Sequence, residues 1–367
     1  MSKFYYSVGL MSGTSLDGID ASIIKSDGEN FIEIIDNKYI KYNDKLRSKL
    51  SRIIDKCSSK NQFKRLSKSI RVVEEEVTLY HDKIFKKIIK NNKKVKIDLI
   101  GFHGQTILHN PQEGYSIQIG DPKLLTRLTR TKVISNFREN DIINGGQGAP
   151  LTPLYHKLIL SKKKLNFPVA IINIGGISNM TYFNKNKNEI TSFDTGPGNC
   201  LLDKWVNINT GKNFDKNGLF AKSGKANEQI LEKLLKDPYY VRKIPKTLDI
   251  KKYNLNHINK INFKDGCATL SMLTVETILL ALKKIEKKPS LILISGGGRK
   301  NKFILNNLKK KLNIPVYVIE KINFNGDFIE SQAFAYLAIR SYLKKFITLP
   351  STTGVSKLCL GGILSQD

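Results

Sequence analysis

Residues Ser7–Ser26 read SVGLMSGTSLDGIDASIIKS: an apolar run, a stretch of glycine, hydroxyl and acid, then a second apolar run. A tight turn between two strands needs only about two residues. Here Gly9, Gly13 and Gly18 are interleaved with Ser12, Thr14, Ser15 and Asp17. Glycine costs backbone entropy on folding, so a cluster of it needs a reason. On this stretch alone two readings are open: a plain surface hairpin, or a cradle whose backbone N–H groups close on an anion. The rest of the chain decides between them.

The 367 residues suffice for two domains and a sizeable core. An apolar share of 40% and a charged share of 25% fit a globular protein. No apolar run approaches the ~20 residues of a membrane span, and no basic region with a long apolar core precedes the first turn. Neither a membrane anchor nor a signal peptide is expected. Cys57, Cys200, Cys267 and Cys359 are far apart without a CxxC pair. That argues against a zinc site or a disulfide framework and points to the cytoplasm.

The formal net charge of +29 raises the question of nucleic acid. The position of the lysines answers it. They cluster in KKIIKNNKKVK, SKKKLN, KKIEKKP and LKKKLN, each followed by an apolar run: IDLIGF, FPVAIINI, SLILIS and IPVYVIE. Lysines at a helix end complement the helix dipole and solvate the connection to the next strand. Aromatic residues do not interleave with them as on a base-stacking platform. No nucleic-acid partner is expected.

The apolar runs IDLIGFHGQT, VAIINIGGISN and LILISGGGRK are short, β-branched and closed by glycine, as buried strands should be. Between them lie helical patterns. Leu66, Ile70, Val73, Val77, Tyr80, Ile84 and Ile88 step by three or four, and so do Ile304, Leu308 and Leu312. Alternating strands and helices predict an α/β fold. The first two Gly-rich turns join strand to strand, whereas LILISGGGRKNKFILNNL is strand, triple glycine, helix. No Gly-Lys-Ser/Thr follows any of them, which disfavours a P-loop. No GxGxxG with a well-placed acid opens a helix, which disfavours a dinucleotide dehydrogenase. FDTGPGN holds a single Asp-Thr-Gly triplet, and an aspartic protease needs two acids sharing a proton.

Two Gly-rich hairpins and a later strand–GGG–helix resemble the sugar kinase, Hsp70 and actin superfamily. The resemblance sharpens at the level of strings. GLMSGTSLDGID, GFHGQT, IQIGDP, GGQGAPL, NIGGISN, FDTGPGN, ISGGGRKN, ESQAFAYLA and LPSTTGVSKLCLGGI look like the successive signature blocks of the anhydro-N-acetylmuramic acid kinases, in order from Gly9 to Ile363. The resemblance implies a cytoplasmic, homodimeric enzyme of cell-wall recycling. It would open the 1,6-anhydro ring of its sugar with water and phosphorylate O6 with ATP. It also implies a ribonuclease H-like fold with a cleft between two α/β domains, expected at 1–131 plus 346–367 and at 132–345. Another small-molecule kinase of the superfamily and a non-catalytic ATP switch are the alternatives.

The resemblance assigns Gly13, Thr14, Ser15, Leu16, Asp17, Gly18, Ile19 and Asp20 to the first ATP hairpin. Gly175, Gly176, Ser178 and Asn179 form the second, and Gly296, Gly297 and Gly298 meet adenosine. Acids beside a triphosphate repel it unless a cation intervenes, so Asp17 and Asp20 point to Mg²⁺ held through water. Asp194 is the expected general base, its carboxylate fixed by the Gly196-Pro197-Gly198 turn. His103, Gln105 and Thr106 are candidates for sugar hydroxyls. Arg138 could fork onto the lactyl carboxylate, and Glu330 is placed near the substrate by resemblance alone.

Overall fold

The computed structural model describes residues 3–13, 15–248 and 253–366; Thr14 lies outside them. The chain divides into two compact units, 1–159 with 328–367, and 160–327. This differs from the expected boundaries at 131/132 and 345/346.

In the first unit, β1 (Tyr5–Ser12), β2 (Gly18–Ser26) and β3 (Ile32–Lys41) form an antiparallel meander. After α1 (Asp44–Lys56), α2 (Lys60–Arg65) and α3 (Ser67–Asn91), strand β4 (Leu99–Asn110) joins β1 in parallel. β5 (Tyr115–Ile119) pairs back on β4, and α4 (Pro122–Thr129) leads to β6 (Lys132–Ser135), parallel to β4. α5 (Glu139–Ile143) and α6 (Pro153–Ser161) follow. The pairing of β6 with β4 is why the unit continues past residue 131. The apolar stripe of α3 behaves as its spacing predicts: Ile70, Val73, Val77, Ile84 and Ile88 are all buried in the core beneath this sheet.

In the second unit, β7 (Val169–Ile174), β8 (Ile177–Asn184) and β9 (Glu189–Pro197) form another antiparallel meander. α7 (Cys200–Thr210), α8 (Leu219–Lys222), α9 (Glu228–Leu235) and α10 (Phe263–Leu282) precede β10 (Leu291–Ser295), which lies parallel to β7. α11 (Lys302–Lys311) then leads to β11 (Val316–Val318), parallel to β10. The order β11-β10-β7-β8-β9 repeats the plan of the first unit, β6-β4-β1-β2-β3. α10 corrects one expectation. It is long and apolar enough to cross a membrane, but 78% of its most apolar window is buried, and it packs on α7, α9 and β9. It is the core helix of this unit.

The chain returns to the first unit with α12 (Ile329–Tyr342), α13 (Pro350–Thr353) and β12 (Ile363–Ser365), which pairs with β6. α12 lies directly on the sheet. Gly9 and Gly101 face each other in register across β1 and β4. A Cβ on Gly9 would stand 1.8 Å from the Ser331 carbonyl oxygen, and one on Gly101 would stand 2.2 Å from that of Phe334. Helix and sheet touch through backbone there, so only glycine fits. A buried polar chain fixes the helix further. Ser22 Oγ lies 2.6 Å from Ser331 Oγ and donates to Asn37 Oδ1, to which Gln332 Nε2 also donates; Tyr155 OH donates to Gln332 Oε1 at 2.7 Å.

Lysines close several helices, as in the last turn of α11 (Lys309, Lys310, Lys311). None of the four cysteines forms a disulfide.

Candidate active site

The first-unit hairpin spans the connection between β1 and β2, closed by Met11 opposite Asp20. Of the glycines in and beside it, two have steric reasons and one does not. Gly9 makes room for α12. A Cβ on Gly18 would collide with the Ile40 carbonyl at 2.2 Å. Gly13 has neither excuse: its φ is outside the left-handed region, and an added Cβ would meet only Ser15 Oγ at 3.7 Å.

The loop is nevertheless well held. Gln105 Nε2 donates to the Gly13 carbonyl at 3.1 Å, and the Asp17 carbonyl accepts from Tyr39 OH and Tyr42 N, each at 3.0 Å. Ser15 Oγ donates to the exposed Asp17 carboxylate at 2.6 Å. Leu16, at φ 57°, turns its side chain into the core, and Ile19 is fully buried. Those two have only backbone to offer a ligand. Asp20 is half-buried on β2.

Beside the hairpin, His103 is buried and donates from Nδ1 to the Gly104 carbonyl. Its Nε2 therefore accepts, from Arg138 Nε at 3.2 Å and Nη2 at 2.9 Å. Burial, and then the Arg138 charge, hold the His103 pKa well below its ordinary value, which keeps the ring a neutral acceptor. Arg138 Nη1 also donates to the Gly148 carbonyl at 2.6 Å. The buried Asp141 ties that loop down by accepting from Gly148 N and Thr353 Oγ1. The fork of Arg138 is thus already built into a His103–Gly148 network. Gln105 Oε1 is buried with no partner, a polar atom whose desolvation costs roughly 1–3 kcal/mol until something satisfies it. Thr106 Oγ1 accepts from Gln118 Nε2. Glu330 sits in the first turn of α12.

In the second unit the predicted residues gather at one end of the sheet's strands. Gly175 and Gly176 turn β7 into β8, and Ser178 and Asn179 follow on β8. The carbonyls of both glycines are taken by backbone N–H groups entering α7: Gly198 and Cys200 donate to Gly176, Asn199 to Gly175. A carbonyl turned on an anion would repel it, so this engagement matters. Gly175 resembles Gly13, since its Cβ would find nothing nearer than 3.5 Å. Ser178 Oγ and Asn179 Oδ1 are buried without partners.

The triple glycine follows β10, whose Ser295 pairs with Asn173 of β7. Gly296 is at φ 74° against Asn173, and Gly298 packs on Ile174, where a Cβ would come within 2.3 Å of either side chain. Gly297 between them has nothing within 4 Å. The buried Arg299 pins the turn: Nη1 donates to the Gly296 carbonyl and to Asp327, and Nε to Glu320.

Asp194 is buried near the carboxyl end of β9, opposite Asn179. The strand does not stop there but runs on to Pro197, so the Gly196-Pro197-Gly198 turn is not what fixes the carboxylate. A segment far away in sequence does. Leu248 N donates to Asp194 Oδ2 at 2.8 Å, Asp194 N donates to the Lys246 carbonyl at 2.9 Å, and Tyr239 OH donates to the Asp194 carbonyl at 2.6 Å. Sequence reading missed Tyr239, Lys246 and Leu248. An isolated lysine amid sixty-one basic residues carries no signal of its own.

A family model described as anhydro-N-acetylmuramic acid kinase matches residues 5–366. The protein of that name from Pelagibacter ubique (strain HTCC1062) is 46% identical, with 100% of each chain covered. The one from Zymomonas mobilis subsp. mobilis is 36% identical over 97% of this chain and 98% of its own. Among solved structures, (R)-2-hydroxyglutaryl-CoA dehydratase component A from Acidaminococcus fermentans is similar with a TM-score of 0.46 at 13% identity, over 92% of this chain and 99% of that one. Matched from end to end by the model and by these relatives, the chain belongs to the anhydro-N-acetylmuramic acid kinase family.

Proposed function

We propose that this chain carries out its family's reaction: it opens the anhydro ring of 1,6-anhydro-N-acetylmuramic acid with water and phosphorylates O6 from ATP, giving N-acetylmuramic acid 6-phosphate and ADP in cell-wall recycling. One observation carries the reading at the level of residues. A carboxylate held by a backbone N–H, Asp194, lies at the same end of the sheet's strands as two turns whose glycines, Gly175 and Gly297, have no steric reason of their own. Gly13 matches them in the first unit. Space kept open beside a backbone that needs none is what close approach of a phosphate requires.

In this reading Asp194 takes a proton from water as the water oxygen bonds to C1. The C1–O6 bond breaks and O6 takes its electron pair to the γ-phosphorus. The bond to the β-phosphate oxygen then breaks, and its pair leaves with ADP. The Gly13–Asp20 hairpin and the Gly175–Gly176 turn are assigned to phosphate oxygens, and Gly296–Gly298 to adenosine. Among the described residues no cluster of three metal-ligating side chains occurs. The exposed Asp17 and half-buried Asp20 therefore fit a Mg²⁺ held mostly by phosphate and water. When bound, the ion supplies neutralisation of phosphate charge. His103, Gln105, Thr106, Arg138 and Glu330 are assigned to the sugar. Arg138, fixed by its bonds to His103 and Gly148, is assigned to the lactyl carboxylate, and the orphaned Gln105 Oε1 is an acceptor for a hydroxyl or amide donor.

The test follows from the bonds. An ordinary sugar kinase adds no water to its product, whereas here C1 must be captured by water. Turnover in heavy-oxygen water is expected to label the C1 hydroxyl and leave the C6–O–P bridge unlabelled. Prompt mass spectrometry is needed because the anomeric hydroxyl exchanges with solvent. A phosphorylated product with an intact anhydro ring, or label in the bridge, defeats the assignment.

A further inference from the structure

The strap that follows α9, residues 238–248, lies along the outer edge of β9, the last strand of its sheet. An edge strand leaves backbone groups unpaired, and at Asp194 the strap pairs them: Asp194 N with the Lys246 carbonyl, and its carbonyl with Tyr239 OH. Tyr239, Tyr240 and Leu248 form a small buried apolar cluster that anchors the strap. Lys246 lies inside it, only 5% exposed. Its ammonium donates to the carbonyls of Tyr239 at 2.7 Å and Tyr240 at 3.3 Å and stands 4.1 Å from the Tyr239 ring.

Withdrawing an ammonium from water is costly, far more so than burying a neutral amide. Two backbone carbonyls could be tied by a neutral donor at a fraction of that cost. The charge therefore needs a reason beyond tethering. The charged groups that Lys246 faces are Lys284 just past α10, Arg242 in the strap, Asp237 just before it, and Asp194. Burial, then Lys284 and Arg242, bring its pKa down to about 8, while Asp194 and Asp237 pull it back up. Near pH 7 it remains mostly cationic.

We propose that Lys246 is a positioning residue for the reaction: its buried positive charge keeps the Asp194 carboxylate ionised, and the strap it anchors presents the Leu248 N–H that fixes the carboxylate's rotation. This rests on the reading of Asp194 as general base. Oδ2 is held by a charge-assisted bond, and such bonds are both shorter and stronger than neutral ones. The Lys246 cation and the Asp194 carboxylate attract each other, and such an attraction favours the charged form of the carboxyl. Together they hand the water a base that is already deprotonated and cannot swing away.

The experiment is the pH dependence of kcat in the full chain. Lys246→Gln keeps a donor for the two carbonyls but removes the charge. Its acid limb is expected about one pH unit higher than that of the native enzyme, while the apparent KM for ATP stays within about twofold. Lys246→Arg retains the charge and is expected to return the acid limb most of the way. An unmoved limb in Lys246→Gln, accompanied by a lower melting temperature, means that Lys246 only props up the strap and overturns the proposal. Asp194→Asn separates the two ideas. If it retains turnover, the base reading fails. If it is inactive while the Lys246→Gln limb is native, only the present inference fails.

Discussion

The two units present a glycine turn at the same place in the same topology, after the first strand of an antiparallel meander, yet they equip it differently. The first-unit hairpin is long, carries Ser15, Asp17 and Asp20, and is fastened by neutral hydrogen bonds from Tyr39, Tyr42 and Gln105. The second-unit turn is two bare glycines with carbonyls spent on the start of α7. Its neighbours are a fixed carboxylate, Asp194, and the triple glycine fastened by the ion pairs of Arg299. On the proposed assignment, duplication of the fold duplicates the cradle and not the chemistry: the acids assigned to a cation lie in the first unit, and the carboxylate assigned as base lies in the second.

The largest effect expected of that division is at Asp194. Asp194→Asn removes the base but retains an acceptor oxygen for Leu248 N, so the strap stays in place. Turnover is expected to fall about 10²–10⁴-fold, the usual worth of a positioned base, with nucleotide binding unchanged. The measurement is kcat beside ATP affinity by calorimetry. A variant within about threefold of native turnover would return Asp194 to a structural role.

Next comes a contrast inside the first unit. Gly9→Ala drives a Cβ to 1.8 Å from the Ser331 carbonyl oxygen and 2.5 Å from Ala335 N. Backbone cannot yield as a side-chain tip can, and lifting α12 off β1 is expected to cost about 3 kcal/mol or more in urea unfolding. Gly13→Val meets no such obstacle. Its stability is expected within about 1 kcal/mol of native, but its apparent KM for ATP is expected to rise about tenfold if the open space beside it is the one assigned to phosphate. Unchanged ATP affinity would reduce the hairpin to a loop.

These glycines also show what the sequence could and could not say. The motif strings made the α/β class and the three glycine turns legible and pointed to Asp194 as a candidate, because each motif is local; what holds the Asp194 carboxylate is not local and was not legible. The strings did not separate Gly9 from Gly13, since what distinguishes them is a helix more than three hundred residues later. The same long return explains the missed boundary: α12 belongs with β1 through contacts that no window of sequence contains. The strap was invisible for a related reason. Asp194 and Leu248 are 54 positions apart, and the bond between them is made by a backbone N–H that any residue but proline has.

The smallest effect tests how the turns are fastened. Burial pushes the Asp327 carboxyl up, but the hydrogen bonds and charges of Arg299 and Lys300 outweigh it and bring the pKa down to about 2. The folded state therefore binds this proton less readily than the unfolded chain, whose Asp titrates near 3.9. The stability it contributes is present above about pH 4 and is lost as pH falls through 2. Taken at face value the shift is worth about 2.5 kcal/mol. Asp327 is 37% exposed, and screening at that exposure reduces it to about 0.5–1 kcal/mol. Asp327→Asn should accordingly be less stable than native at pH 6 by that amount, with the gap narrowing by pH 3 in urea unfolding. At pH 6, where the native ion pair is intact, the variant loosens Arg299 and with it the Gly296–Gly298 turn, so its KM for ATP is expected to rise about two- to threefold. A native KM beside a lost pH dependence would show that the ion pair supports the fold and not the nucleotide turn.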